Sequence, residues 1–271
     1  MVTIQEKKRG RIMSTEEKAL VGSLNQIGHV IAVMSGKGGV GKSSISALLA
    51  AALARSGAKV GVLDADITGP SQPRAFGITS SGLTGSQFGI TPPVTGNGIK
   101  LMSINFFLPK EDDPVVWRGP LLSGAVKQFW EEVDWQDLDY MIVDLPPGTG
   151  DVSLTVLQTL PVDGLVIVSS PQDLALMVVK KAVKMANKMN IPILGLVENM
   201  SHAVCQHCGE ELKIFGESQG QSAAKEMAID FLGCLPWDMK MNEMIDQGRV
   251  EDYQNLEIER IAATIKGKLF S

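Results

Sequence analysis

Residues 36–43 read GKGGVGKS, and no other stretch of the chain restricts its fold so tightly. The string satisfies G-x-x-x-x-G-K-[ST], in which glycines let successive backbone N–H groups turn inward around phosphate oxygens. Such a loop works only between a strand that delivers it and a helix whose positive N-terminal end faces the same phosphates. Both neighbours are legible. Residues 30–35 form a short apolar run that predicts a strand, and 43–55 are rich in Ala and Leu, which predicts a helix closed by Gly57. Lys42 would then reach the β- and γ-phosphates of a nucleotide, and the Ser43 hydroxyl would reach Mg²⁺.

The same rhythm continues downstream. Apolar runs at 59–63, 141–143, 164–168 and 193–197 predict buried strands, with helical patterns at 151–160 and 173–189. Residues 68–120 interrupt the rhythm with Gly, Pro, Ser and Thr and read as an elaborated crossover. Buried strands alternating with helices imply a mostly parallel sheet with helices on both faces. With 271 residues, 44% of them apolar, the chain suits one such domain. The expected architecture is therefore a single α/β domain of the P-loop NTPase kind at 29–271, preceded by a polar extension at 1–28.

In that extension Lys7, Lys8, Arg9 and Arg11 sit beside Glu6, Glu16 and Glu17, which suggests a solvated tail. A net charge of −5 argues against a specific nucleic-acid partner. No run approaches the ~20 apolar residues of a membrane span, and the start lacks the apolar core of a secretory signal. Three cysteines in so long a chain point to a reducing, cytoplasmic compartment.

Acidic residues follow two of the strands, where ligand loops of parallel sheets belong. Asp64 and Asp66 follow 59–63, and Asp144 follows 141–143 in the segment DLPPGTGD. Asp144 reads as the acid that holds Mg²⁺ through water, and 145–151 as a switch loop sensing the γ-phosphate. A lone Asp after a strand is usually a helix cap; three converging on one phosphate loop are a site. The guanine signature N-K-x-D is absent, since Asn187 and Lys188 are followed by Met189 and Asn190. ATP is the expected nucleotide.

A second site lies in ENMSHAVCQHCGEELKIFG, where Cys205 and Cys208 form a C-x-x-C pair within a loop at about 199–218. One pair supplies two thiolates, and a tetrahedral sulfur site needs four. Three readings compete: a redox pair, which would want the cysteines to open a helix; half a zinc ribbon completed by His202 or His207; or one metal centre held by two copies of the chain. The last is preferred. Thiolate ligands suit an iron–sulfur cluster or zinc equally. Cys234, between apolar neighbours, reads as a core residue. Met185, Met189, Met227, Met241 and Met244 are dispersed and read as packing.

Across roughly 20–265 the sequence resembles the Mrp/ApbC family of iron–sulfur cluster carrier ATPases, relatives of MinD and ParA with a deviant Walker A loop. The resemblance rests on SGKGGVGKS at 35–43, DADITGPS at 64–71, WRGP at 117–120, DLPPGTGD at 144–151, PQDLAL at 171–176 and VENMSHAVCQHCG at 197–209. It implies nucleotide contacts from Gly36, Lys37, Gly38, Gly39, Val40, Gly41, Lys42, Ser43 and Ser44. It also implies that Lys37 acts across a homodimer on the partner's nucleotide, Asp66 positions the attacking water, Asp64 supports the Mg²⁺ shell, and Asn199 contacts adenine. The implied activity is slow ATP hydrolysis coupled to carrying a cluster, of the 4Fe-4S type, between two subunits and on to apo iron–sulfur proteins. Zinc could occupy the same thiolates. The alternative is a MinD/ParA-like positioning ATPase with a structural zinc site. Two departures stand out: no cysteine precedes Cys205, and Val178, followed by Lys180 and Lys181, replaces a usual Asp.

Overall fold

Seven short parallel strands carry the molecule, and their order decides where its loops meet. The computed structural model describes residues 25–270, apart from 67–68, 70, 79–82, 87–88, 104–105, 107–118, 173–175 and 206. The basic cluster at 7–11 and parts of the DADITGPS, WRGP and PQDLAL segments therefore lie outside the described residues.

The chain opens with β1 (Gln26–Ser35), α1 (Lys42–Arg55), β2 (Val60–Asp64) and the short α2 (Gln72–Ala75). A hairpin of β3 (Thr84–Ser86) and β4 (Gly89–Thr91) leads to β5 (Lys100–Ser103). Next come α3 (Gly119–Glu131), β6 (Asp137–Asp144), α4 (Asp151–Thr159), β7 (Gly164–Ser169), α5 (Leu176–Lys188) and β8 (Ile193–Glu198). A second hairpin, β9 (Ala203–Val204) and β10 (Glu211–Leu212), precedes α6 (Gly220–Glu226) and β11 (Phe231–Cys234). The chain closes with α7 (Met239–Asp246) and α8 (Leu256–Leu269).

The main sheet runs β11-β8-β7-β1-β6-β2-β5, and each of these pairings is parallel. From the central β1 the chain builds one flank, returns to insert β6, and then builds the other. Helices lie on both faces. The carboxyl ends of β1, β2, β6, β7 and β8 consequently open on one edge, where a ligand is expected. Strands β2 and β7 are buried throughout, which is why they read as unbroken apolar runs.

Several boundaries differ from the sequence-based expectation. β1 begins at Gln26 because its first residues pair with β6 alone, Gln26 opposite Asp137, while β7 joins only from Ile31. With one neighbour there, exposed and half-buried residues alternate and the apolar signal fades. The start of β6 alternates in the same way. The crossover at 68–120 also holds a sheet strand: β5 pairs with β2 and forms one edge.

α1 is apolar on nearly every side because α8 covers its outer surface. Ile258, Ile261, Ala262 and Ile265 of α8 are buried, and Arg55 of α1 reaches Glu259 with Nη2 at 2.6 Å from Oε1. Asn255 caps α8 by accepting from the N–H groups of Glu257 and Ile258 at 2.8 and 3.3 Å, an arrangement worth about 1 kcal/mol. The C-terminal segment is thus a packing helix. Met185 and Met241 are buried, while Met189, Met227 and Met244 pack at the margin of the core. No described helix is long and apolar enough to cross a membrane.

Candidate nucleotide site and thiol hairpin

β1 ends at Ser35, and the chain turns through 36–41 before α1 begins. Two glycines in this turn are dictated by close neighbours. Gly41 is left-handed at φ 79°, and a Cβ there would fall 2.2 Å from Asn199 Nδ2. A Cβ on Gly36 would fall 1.7 Å from Val178 Cγ1 of α5. Val178, the position that departs from the family pattern, therefore packs directly on the loop. Lys37, Gly38 and Gly39 are exposed, and Ser35 Oγ donates to the Lys37 carbonyl at 2.9 Å.

Under the loop lies a buried cluster of charges. Lys42 Nζ donates to Asp144 Oδ1 at 2.7 Å and to Ser43 Oγ at 3.2 Å, with Asp66 Oδ2 at 3.8 Å. Asp144 also accepts from Ser46 Oγ at 2.7 Å and from Gln72 Nε2 at 3.0 Å. Asp64 stands opposite Asp144 in the β2–β6 register. It accepts from Ser103 Oγ and from the N–H groups of Gln72 and Asp66, each at 3.2 Å.

Both Asp64 and Asp144 are fully buried. Burial first, and then the charge of Asp144, push the Asp64 carboxyl up to about 8, against the pull of the Gln72 N–H and of Lys42. Among the described residues, three buried acids, Asp64, Asp66 and Asp144, stand around the Lys42 ammonium, a local deficit of positive charge. Gln72 Oε1 is buried without a hydrogen-bond partner. The hard oxygen donors of Ser43, Asp64 and Asp144, together with this deficit, fit Mg²⁺.

The other loops close on the same point. The Gly148 N–H donates to the Ser35 carbonyl at 2.9 Å and the Leu145 N–H to Val33 at 3.1 Å, tying the 145–151 segment to the strand that carries the loop. Asn199 follows β8. Its Nδ2 donates to the Val40 carbonyl at 2.9 Å, its N–H donates to Ser169 at 2.7 Å, and its Oδ1 is buried and unpartnered.

The cysteine pair occupies the tip of the β9–β10 hairpin, where Val204 faces Glu211 and Ala203 faces Leu212. The Cys205 N–H donates to Glu210 at 2.9 Å, and the Gly209 N–H donates to Cys205 at 2.8 Å. Backbone N–H groups of Cys208 and then His207 bond the Cys205 sulfur and lower its pKa, and the Cys208 side chain adds to this. Such donors favour the thiolate, which is the metal-binding form. Cys205 is partly exposed and Cys208 exposed.

His202 is engaged at the foot of the hairpin, with Nδ1 2.9 Å from Ser201 Oγ and Nε2 4.0 Å from Glu211. Among the described residues, no group of three or more His, Cys, Asp or Glu could hold a metal ion. Cys234 departs from the expectation of full burial. It is half-buried at the end of β11, its thiol pKa raised mainly by that burial.

A model of the NUBPL iron-transfer P-loop NTPases matches residues 26–270, which span the loop, the acids and the hairpin. The chain belongs to this family. It is 43% identical over 268 residues to an iron–sulfur cluster carrier protein of Methanocaldococcus jannaschii, covering 95% of this chain and 92% of the relative. The carrier protein of Pseudomonas fragi is 46% identical over 235 residues, covering 86% and 81%. A nucleotide-binding protein from Archaeoglobus fulgidus, solved in complex with ADP and with cobalt found, superposes with a TM-score of 0.77 at 43% identity, covering 89% of this chain and 94% of that one. The cell-division ATPase MinD of Pyrococcus furiosus has a TM-score of 0.65 at 19% identity, covering 89% and 99%, a likeness of fold alone.

Within this family site, Ser46, Gln72 and Ser103 were not anticipated from the sequence. Ser46 had a usable signal, since it lies one helical turn after Lys42 and so on the same face. Gln72 and Ser103 had none: the β2–β5 register sets Ser103 opposite Asp64, and Gln72 reaches the acids through the placement of α2.

Proposed function

We propose that the protein is an ATP-driven carrier in which two copies jointly hold one iron–sulfur cluster and pass it to apo-proteins. The observation that carries this reading is the hairpin: two accessible thiols, one with its pKa lowered by backbone N–H donors, with half the ligand set that a sulfur-bound centre needs. A two-fold axis through the hairpin would supply the other half. The names of the relatives at 43% to 46% identity support the cargo. Zinc would accept the same four thiolates.

In the nucleotide site, Lys42 would leave Asp144 for the β- and γ-phosphates, and the N–H groups of 36–43 would hold the remaining oxygens. Mg²⁺, when bound, neutralises phosphate charge, and Ser43, Asp64 and Asp144 are the residues that would hold it. Asp66, already beside Lys42, would orient the attacking water. Asn199 Oδ1 is an acceptor for the amino group of adenine. Lys37, at the exposed crest of the loop, would reach the partner's nucleotide and tie slow hydrolysis to the dimer.

The test is transfer. Anaerobically reconstituted protein should show a thiolate-to-iron absorption band that moves to an apo-ferredoxin on mixing, faster with MgATP than without. A band that never forms, or that forms equally in Cys205→Ala, would overturn the reading.

A further inference from the structure

Glu198 ends strand β8, is fully buried, and contacts neither the acid cluster nor the cysteines in any hydrogen bond described above. A buried carboxylate is costly unless satisfied, and among the described residues this one is satisfied at the entry to α6, where the chain returns from the thiol hairpin. Its Oε1 accepts from the N–H groups of Gln219 and Gly220, both at 3.0 Å, and its Oε2 accepts from Ser218 Oγ. The outgoing limb is fixed on the same strand end. The Leu235 N–H donates to the Glu198 carbonyl at 2.9 Å, and Ser201 donates to the Leu235 carbonyl through N–H and Oγ at 3.0 and 3.1 Å.

The next residue in sequence is Asn199, whose amide holds the Val40 carbonyl of the phosphate loop. Two adjacent residues therefore grip the two sites from one strand end. A short helix such as α6 could be capped by a side chain of its own flank, yet its N-cap residue Gln219 makes no side-chain cap. The capping carboxylate comes instead from the last residue of β8, next to Asn199.

We infer that Glu198 is a positioning residue that couples the phosphate loop to the thiol hairpin, so that nucleotide occupancy alters the setting of Cys205 and Cys208. When the loop closes on phosphates, the Val40 carbonyl and Asn199 shift together. Glu198 carries that shift to residues 218–220, and the hairpin follows. Coupling between sites is reciprocal in binding free energy, so ligation of the thiols also alters nucleotide affinity. The inference deepens the carrier reading and rests on it in taking the hairpin thiols as the working groups.

The experiment uses metal-free full-length protein carrying Cys234→Ala, so that only the hairpin thiols react. The rate of modification by a disulfide reagent (5,5′-dithiobis-2-nitrobenzoate) is measured with and without MgADP. In this parent the nucleotide should change the rate by about fivefold, the low end of usual couplings. Glu198→Ala should remove the dependence while ADP affinity, read by calorimetry, is retained. Glu198→Gln, which keeps an acceptor for the two N–H groups, should restore most of it. Ser218→Ala, which leaves the two N–H bonds to Glu198 in place, should weaken the response at a smaller cost in stability than Glu198→Ala. A parent that binds ADP without a change in thiol rate, or an unchanged response in Glu198→Ala and Ser218→Ala, overturns the inference. Because no metal is present, these outcomes are separable from the cluster reading, which stands or falls on metal stoichiometry.

Discussion

The phosphate loop at 36–41 and the hairpin tip at 205–210 both extend beyond the carboxyl ends of parallel strands, β1 and β8, yet they are built in opposite ways. The loop sits over a finished interior: Lys42, Ser46, Asp64, Gln72 and Asp144 are buried and bonded to one another. The hairpin presents its chemistry outward, with Cys208 exposed and large apolar residues Val204, Leu212 and Ile214 also exposed. The acids and the lysine beneath the loop find their partners within one chain. The hairpin offers two thiols, half the ligand set of the shared centre proposed above.

The largest test of this contrast is Lys42→Ala. It strips Asp144 of its ammonium partner, and breaking a buried pair costs about 3–5 kcal/mol. The loss should fall near the lower end, because Ser46 and Gln72 still donate to Asp144. Nucleotide binding or hydrolysis should vanish with it. Cys205→Ala or Cys208→Ala, by contrast, at a partly exposed and an exposed position of a surface hairpin, should change the metal-free protein's stability by no more than about 0.5 kcal/mol. Urea unfolding of all three variants checks this, and equal destabilisation would break the comparison.

Next in size is Asp66→Ala, which should slow ATP turnover by about 10² while ADP still binds, as expected for loss of a group that positions water. Phosphate release beside calorimetry separates the two effects. Wild-type turnover in this variant would remove Asp66 from the reaction.

A smaller effect follows from Asp64. Its carboxyl is raised from the ordinary 3.8 to about 8 by burial, so the native chain binds a proton that the unfolded chain has lost. Its contribution to stability is full below the ordinary carboxylate range and is lost as pH rises through about 8. Without nucleotide or divalent ions, Asp64→Asn should therefore gain on the wild type between about pH 5 and about pH 8. A stability difference that stays flat over that range would place the charge elsewhere. The smallest expected effect is that of Cys234→Ala: metal content should be unchanged, since that thiol is half-buried on β11 and not at the hairpin tip.

What the sequence disclosed follows the same division. Strands β2, β7 and β8 and the loop were legible because each is specified locally, by apolar runs or by a motif read as a whole. β5, with only Lys100–Ser103, and β11, with a glycine at 233, are too short and too irregular to announce themselves; they exist because β2 and β8 offer them an edge. Of the buried cluster, Lys42, Asp64, Asp66 and Asp144 could be named from position along the chain. Gln72 could not, because its role depends on the approach of α2 to two acids separated by 80 residues, 64 and 144. Asn199 came only from the family resemblance, as an adenine contact, and its bond to the Val40 carbonyl was not legible at all. Glu198 left a faint trace as a charged residue closing a buried strand, and only the return of the chain at 218–220 gives it meaning.

The central claim, that two chains share one metal centre through Cys205 and Cys208, is tested most directly by metal analysis and molecular mass on anaerobically reconstituted protein. The account predicts a dimer holding one centre for every two chains, lost in Cys205→Ala and in Cys208→Ala alike. Zinc in that place and ratio would identify the same ligands with a different cargo. A monomer that keeps its metal, or one centre for each chain, would contradict it.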